Sequence, residues 1–288
     1  MRTIVITGGT DGIGRQLALH YIRNGDQVIV IGRSAEKGEA LRLEAAKSNR
    51  ENAFLFLQAD LSLVSENIRI VDELSAKESR IDLLLLCAQS QKFSSVYRET
   101  EEGFEHHFAL YYLSRFILSF QLRGLLRGSA APLIINVCAP GVKGGVHWED
   151  LQLRTLRPFN SIKAIMHGSR LNNLLGAAFA QSAADMNIKY LLFNPGAVQT
   201  KGATEAFDHK LLQRLVKLMY NIIGLPAEKA IEPILRFVHS PPEESLTAYK
   251  RNKKLDAAQM IPYLEQSDRL VRLTLELIKR QYGNFNIT

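Results

Sequence analysis

The sequence is poor in cysteine, with Cys87 and Cys138 as its two thiols in 288 residues. Two cysteines cannot build the disulfide framework that stabilises many small secreted proteins. A chain of this kind suits a reducing compartment, and we expect a cytoplasmic location. The first apolar run begins at Thr3, which we interpret as leaving no room for a signal peptide before it.

Long apolar runs and a concentrated basic surface are also missing. The apolar runs are far too short to cross a bilayer, so we expect no integral membrane segment. The net charge is +7, but the basic residues are scattered and are not interleaved with aromatic ones. This argues against a nucleic-acid partner. We find no repeat, no low-complexity segment, no linker and no metal-ligand motif, and we expect residues 1–288 to form a single domain.

The chain instead alternates short apolar runs with helical patterns. The runs predict six strands, at residues 3–6, 28–31, 53–57, 82–86, 133–137 and 188–193. Amphipathic periodicity predicts helices between them, the longest at 101–126 and 161–184. This alternation is typical of an α/β fold with a Rossmann-type, doubly wound parallel sheet and helices on both faces. Helices near 204–223, 226–238 and 260–280 would follow, and the basic segment 249–254 is interpreted as a solvated loop.

A glycine-rich segment joins the first strand to the first helix and reads Thr7-Gly8-Gly9-Thr10-Asp11-Gly12-Ile13-Gly14. Glycines there permit a tight turn and a close approach of the backbone to a ligand. The free N–H groups at the start of the helix then suit a pyrophosphate. The strand–glycine–helix context predicts a dinucleotide site at the carboxyl ends of the strands.

Together with other motifs, this segment resembles the short-chain dehydrogenase/reductase family. Asp60-Leu61 follows the third strand, Ile81-Asp82-Leu83 leads the fourth, and Pro195-Gly196-x-Val198-x-Thr200 follows the sixth. Residues 144–152 and 249–269 are similar to the branch with retinol-dehydrogenase-like and fungal secondary-metabolism reductases. The resemblance implies a homodimer or homotetramer formed through the helices at 101–126 and 161–184.

The resemblance implies a nicotinamide dinucleotide, and the end of the second strand bears on which one. Arg33 stands where an acidic residue would hold the ribose hydroxyls, with Ser34 beside it and Lys37 one turn later. A guanidinium suits phosphate oxygens, so we expect NADP(H) rather than NAD(H). The alternative is that Arg33 is a solvated residue at a helix start.

Further cofactor contacts come from the resemblance alone. Asp60, beside Leu61, would accept from the adenine amino group, and Thr200 would bond the carboxamide. Each has an alternative role as a helix cap, which Ser62 could also fill. Arg170 would replace the family lysine at the nicotinamide ribose. The remaining expected contacts come directly after the fourth and sixth strands: Cys87, Ala88, Pro195, Gly196 and Val198.

The residues that carry out chemistry in the family are absent. Family chemistry uses Asn, Ser, Tyr and Lys. The Asn site falls on Tyr111, and the Ser site on Ala139 or Cys138. Two registers compete for the Tyr–Lys pair, Phe159/Lys163 and Met166/Arg170. We favour the second, because Met166 lies 29 residues before Pro195, close to the family spacing. Neither register contains the phenol.

Three interpretations remain open. The first is a redox enzyme for a small or lipophilic carbonyl compound or alcohol, with Arg170 replacing the lysine at the ribose. Its candidate proton donors are Tyr111, His167, Tyr112 and His147. The second is a catalytically silent NADP(H)-binding protein, and the third is a non-redox dehydratase or cyclase. Each of the first two candidates also has a purely structural interpretation: Tyr111 as a residue of the core and His167 as a structural histidine.

Two further expectations concern the thiols and the tail. Cys87 and Cys138 follow adjacent strands, and we favour a space-filling role over a redox-sensitive thiol pair. Residues 201–223 carry an apolar stripe with interspersed lysines. The stripe fits a lid over a hydrophobic substrate, and equally a helix docked on a partner or a membrane surface.

Overall fold

The computed structural model describes residues 1–90, 93–199, 224–256, 261–283 and 285. Its main sheet has eight strands in the order β10-β9-β6-β5-β4-β1-β2-β3, all parallel except β10. The short strands β7 and β8 form a separate parallel pair. The strands are β1 Thr3–Thr7, β2 Gln27–Gly32, β3 Phe54–Gln58, β4 Leu83–Leu86, β5 Leu133–Val137, β6 Lys189–Asn194, β7 Val198–Gln199, β8 Leu225–Pro226, β9 Leu246–Lys250 and β10 Lys253–Lys254.

Helices cover both faces of this sheet. They are α1 Gly12–Arg23, α2 Ala35–Lys47, α3 Val64–Lys77, α4 His106–Phe108, α5 Ser114–Gln121, α6 Arg123–Arg127, α7 Ser161–Ser182, α8 Ala227–Ala230, α9 Glu232–His239 and α10 Ile261–Gln281. A π-helical turn, Ala109–Leu113, joins α4 to α5. We refer to residues 106–121 as the central helix. None of the helices in the described part of the chain has the length and apolar character that a membrane crossing requires.

Two cores form because neighbouring strand residues point to opposite faces. Val5 packs with α3, the central helix and α7, whereas Ile4 and Ile6 pack with α1 and α9. Strands buried on both faces need continuous apolar runs, which is the pattern in the sequence. The prediction of a Rossmann-type doubly wound sheet is confirmed.

Several local predictions are wrong. The basic segment 249–254 is the end of β9, a turn and β10, because β9 extends the sheet beside β6 with Tyr190 opposite Leu246. The central helix begins at His106 rather than at residue 101. The Glu105 carboxylate caps this start by accepting from the Phe108 N–H at 2.7 Å. Pro226 ends β8 and precedes the helix it was expected to start. The helix near 204–223 lies outside the described residues.

Candidate cofactor and active site

The glycine turn, residues 7–14, packs too tightly for side chains at Gly8, Gly9 and Gly14. A Cβ on Gly8, whose φ is +65°, would lie 2.8 Å from the Cα of Ala88. A Cβ on Gly14 would lie 2.4 Å from the carbonyl oxygen of Gly8. The backbone therefore closes on itself and on the end of β4. This leaves the start of α1 facing the carboxyl edge of the sheet, a geometry that fits a pyrophosphate.

Other residues of the glycine turn fix its position. The Thr7 hydroxyl accepts from the N–H groups of Cys87 at 3.1 Å and Ala88 at 3.2 Å, and so ties β1 to β4. Asp11 caps α1 by accepting from the Gly12 N–H at 2.8 Å. The Thr10 side chain packs against Gly32 at the end of β2, and Ile13 packs against the small cluster of Val198, Ala227 and Ala230.

The end of β2 presents two cations. The Arg33 side chain is 58% exposed, and its guanidinium lies 3.9 Å from the Asp60 carboxylate. The Lys37 ammonium lies 2.5 Å from the Asp11 carboxylate. Ser34 caps α2 by accepting from the Lys37 N–H at 3.2 Å. Exposed pairs of this kind contribute little free energy, so both cations can exchange partners for an incoming phosphate.

The start of α3 differs from the expectation. Asp60 accepts from the N–H and the hydroxyl of Ser62, at 3.0 and 2.7 Å, and forms a local turn. The cap comes instead from Glu102, which accepts from the N–H groups of Val64 and Ser65. The alternative roles of Asp60 and Ser62 as caps of this helix are therefore wrong, and the expected contact of Asp60 with the adenine stays a prediction. Leu61 is buried in the core.

The segment after β6 also lies at the carboxyl edge. The Asn194 side chain accepts from the Gly196 N–H at 2.8 Å and stabilises the turn after Pro195. A Cβ on Gly196 would lie 2.6 Å from the Nε of Arg251. Val198 is buried in β7. Thr200 and the expected lid at 201–223 lie outside the described residues.

Tyr111 reaches the gap between the end of β5 and α7. It is 3% exposed, and its hydroxyl lies 3.1 Å from the Ser169 hydroxyl. Its ring packs on Gly168, where a Cβ would lie 2.8 Å from the ring. Burial raises the pKa of Tyr111 to about 12 and Cys138 adds to this, whereas Arg115, Ser169 and the Ala139 backbone act in the opposite direction. The phenol is therefore protonated at neutral pH.

Sequence reasoning missed Arg115, which is 1% exposed. Its Nη1 donates to the Asn136 side chain and to the Val137 carbonyl, and its Nη2 donates to the Ala88 carbonyl at 2.9 Å. Its guanidinium lies over the Tyr111 ring, 4.5 Å from the centroid. An arginine on a helix usually indicates a solvated face. The available signal was its position four residues after Tyr111, within an otherwise apolar stretch.

The two thiols lie where expected, at the ends of adjacent strands β4 and β5. Both are free cysteines. Burial raises the pKa of each to about 12, although Arg115 acts to lower it. A thiol that is protonated at neutral pH is a poor nucleophile, so the geometry favours the space-filling interpretation.

The histidine and tyrosine candidates other than Tyr111 have structural contacts. His167 is 2% exposed, and its Nε2 accepts from the His147 backbone N–H at 3.1 Å. Burial, Arg170 and His147 lower its pKa to about 3, which keeps it neutral. The His147 ring lies 5.4 Å from the His167 ring. The Tyr112 hydroxyl lies 2.6 Å from the Thr274 hydroxyl, beneath α10.

The two competing registers on α7 fall in different environments. Phe159 is buried with Leu153 and Ala164 in a small separate cluster. Met166 is 41% exposed. The Arg170 Nη1 donates to the Lys143 carbonyl at 3.1 Å, and its buried Nε lacks a partner within the described chain. The Met166/Arg170 register stays a prediction.

Comparison with known proteins agrees with this geometry. The family model described as short chain dehydrogenase matches residues 2–150. An NmrA-like family domain-containing oxidoreductase, notO, of Aspergillus sp. (strain MF297-2) is 29% identical over 203 residues, covering 69% of this chain and 61% of the relative. The chain thus spans about six-tenths of that relative. Retinol dehydrogenase 12 of Bos taurus is 27% identical over 215 residues, covering 74% of this chain and 67% of the relative.

A solved structure extends the agreement to the fold. A short-chain dehydrogenase/reductase of unknown function from Caenorhabditis elegans, solved with cofactor, superposes with a TM-score of 0.67 at 18% identity. The superposition covers 87% of this chain and 94% of that one. With the family model matching more than half of the sequence, the protein belongs to the short-chain dehydrogenase family.

Proposed function

We propose that the protein is an NADP(H)-dependent oxidoreductase that acts on a small or lipophilic carbonyl compound or alcohol with non-standard catalytic residues. The observation that carries this proposal is the Tyr111 hydroxyl in the gap between β5 and α7, beside Ser169. Carbonyl chemistry needs a positioned acid at this edge of the sheet. Tyr111 supplies a phenol there from a different helix than the family tyrosine.

The cofactor-binding side rests on the glycine turn and the two cations after β2. Arg33 and Lys37 would hold the 2′-phosphate, and Arg170 would hold the nicotinamide ribose. When bound, NADPH supplies a hydride to the substrate carbon. Because burial raises the pKa of Tyr111 to about 12, the phenol carries its proton at neutral pH and can donate it to a carbonyl oxygen, as carbonyl reduction requires.

The substrate class is supported by the relatives. The bovine relative is named for retinol, a lipophilic alcohol. We therefore extend the proposal to lipophilic aldehydes and ketones and include retinal in the substrate panel.

The test is consumption of NADPH with this panel, followed by absorbance and by product mass. Tyr111→Phe removes the proposed acid, and we expect a loss of about 10²-fold in kcat. Tyr112→Phe removes the same atom one residue away, beneath α10, and we expect near wild-type turnover. Equal activity of wild type and Tyr111→Phe would exclude Tyr111 as the acid.

The low exposure of Tyr111, 3%, favours a second candidate, a catalytically silent NADP(H)-binding protein. A calorimetric titration separates the two, since the silent protein binds NADPH but consumes none with any carbonyl. A non-redox dehydratase or cyclase would instead give products that have gained no hydride.

A further inference from the structure

Tyr111 and Arg115 lie four residues apart and share one face of the central helix. The Arg115 guanidinium covers the Tyr111 ring at 4.5 Å. We propose that Arg115 is a positioning residue that stabilises the phenolate of Tyr111, so that a Tyr-x-x-x-Arg pair on the central helix replaces the Tyr-x-x-x-Lys pair missing from α7. This inference rests on the proposed function.

Within the described residues, the charge of Arg115 has no carboxylate beside it. Its acceptors are one side-chain amide oxygen and two backbone carbonyls, all neutral. Its Nε is buried without a partner, and no carboxylate pairs with it in the ranges that the structure describes. A guanidinium stays charged in proteins. With little water to screen it, this charge acts strongly on nearby titratable groups.

One titratable group close to this charge is the phenol of Tyr111, whose ring lies beneath the guanidinium. A phenolate spreads negative charge into its ring, so a cation over the ring face favours the ionised form. The other groups facing Tyr111 are Cys138 at the end of β5 and Ser169 on α7. Burial and Cys138 raise the pKa of Tyr111, and Arg115 and Ser169 oppose them.

A buried polar network fixes the pair. Asn136, which accepts from Arg115, donates to Asn172 and to the Tyr190 hydroxyl, each at 2.9 Å. Asn172 donates to the backbone carbonyl of Tyr111 at 2.8 Å. The network thus holds the backbone of Tyr111 and the guanidinium of Arg115 in one arrangement, as positioning requires.

The substrate carbonyl carbon gains a hydride from a reduced nicotinamide dinucleotide, and the carbonyl oxygen gains the proton of Tyr111 as the phenolic O–H bond breaks. Arg115 stabilises the phenolate that remains until solvent returns a proton.

The experiment measures the ionisation of Tyr111 without cofactor or substrate. All tyrosines are replaced by 3,5-difluorotyrosine, whose phenol is more acidic, and their ionisation is followed by ¹⁹F NMR. Tyr111→Phe and Tyr112→Phe assign the two resonances. Tyr112 is the internal control, because it is also buried on this helix and hydrogen bonds Thr274. We expect Tyr111 to ionise at lower pH than Tyr112.

Two variants test the charge itself. Arg115→Gln removes it, and we expect the midpoint of Tyr111 to rise by about one pH unit or more. Arg115→Lys keeps it, and we expect a small change. An unmoved midpoint in folded Arg115→Gln overturns the inference. If that variant does not fold, ionisation of Tyr111 at or above the pH for Tyr112 in the wild type overturns it.

Catalysis gives a separate readout. Arg115→Gln should lower kcat with little change in KM and shift the alkaline limb of the pH profile upward, and Arg115→Lys should restore both. If the enzyme reduces carbonyl compounds but the ionisation of Tyr111 does not depend on Arg115, the inference is wrong and the proposed function stands. The expected titration together with no carbonyl reduction overturns the proposed function.

Discussion

At the scale of single residues, some titratable side chains stay neutral because they are buried inside the protein. His167 is such a group, since its Nε2 is used as an acceptor and its pKa is lowered to about 3. An unfolded histidine has a pKa near 6.5. Between these values the unfolded chain binds a proton that the native protein does not bind, so stability falls as the pH falls.

We therefore predict that His167→Gln weakens the acid sensitivity of the protein. Glutamine keeps an acceptor for the His147 N–H but does not titrate. Between pH 6.5 and 3 the wild type should lose up to about 1.4 kcal/mol per pH unit more than the variant. Urea unfolding at pH 7.0, 5.5 and 4.5 measures this. His239→Gln, at the exposed end of α9, is the control, and identical slopes for wild type and His167→Gln would contradict the prediction.

We also expect a single side chain, Arg33, to set the preference for NADPH over NADH. We predict that Arg33→Ala weakens NADPH binding by about tenfold or more, because a hydrogen bond to a charged group contributes about 1.5–3 kcal/mol. NADH binding should change little. Arg42→Ala is a matched control, since Arg42 is on the neighbouring α2 and pairs with Glu39. Calorimetric titration with both cofactors is the measurement, and tighter NADH than NADPH binding to the wild type would contradict the assignment.

Sequence patterns predicted the functional residues that are defined by their neighbours in the chain. They did not predict those whose role depends on burial in the folded protein. The glycine turn and Arg33 were recognisable because their neighbours in the chain define their context. Arg115 was not, because its burial depends on β4, β5 and α7 closing around it. Its acceptors include Asn136 and Ala88, each more than twenty residues away.

Among the elements, apolar runs predicted strands β1 to β6 almost to their ends. β9 was missed because its last residues, Tyr249 and Lys250, begin a basic segment. The cap of α3 was missed for a similar reason. Its acceptor, Glu102, lies 37 residues beyond Ser65, whereas capping residues are normally sought within a few residues of the helix start.

That distant cap leads to a prediction for α3. Glu102→Ala leaves the N–H groups of Val64 and Ser65 without their acceptor and removes a negative charge from the helix start. We expect a loss of about 1 kcal/mol in the free energy of unfolding. Glu101→Ala, an exposed neighbour, should have little effect. Urea unfolding of both variants is the measurement, and equal stabilities would show that the cap contributes nothing.

In the whole molecule, α10 packs against α7 and the central helix, the helices that the family resemblance assigns to subunit contact. Leu270 and Ile278 are buried in the core formed with α7 and the central helix. Thr274 bonds Tyr112, and Ser267 donates to Gln181 of α7 at 2.7 Å. The chain thus packs its own helix against the two helices through which we expected it to form a homodimer or homotetramer.

We therefore predict a monomer. A second copy would have to displace α10 and leave Leu270, Ile278 and the Tyr112 hydroxyl without partners, at a cost of several kcal/mol. Light scattering after gel filtration should give the mass of one chain for the full protein. A chain ending at Asp256 exposes the apolar faces of α7 and the central helix, and it should dimerise or aggregate. A dimer of the full chain would contradict this prediction, because α10 would then have failed to protect those faces.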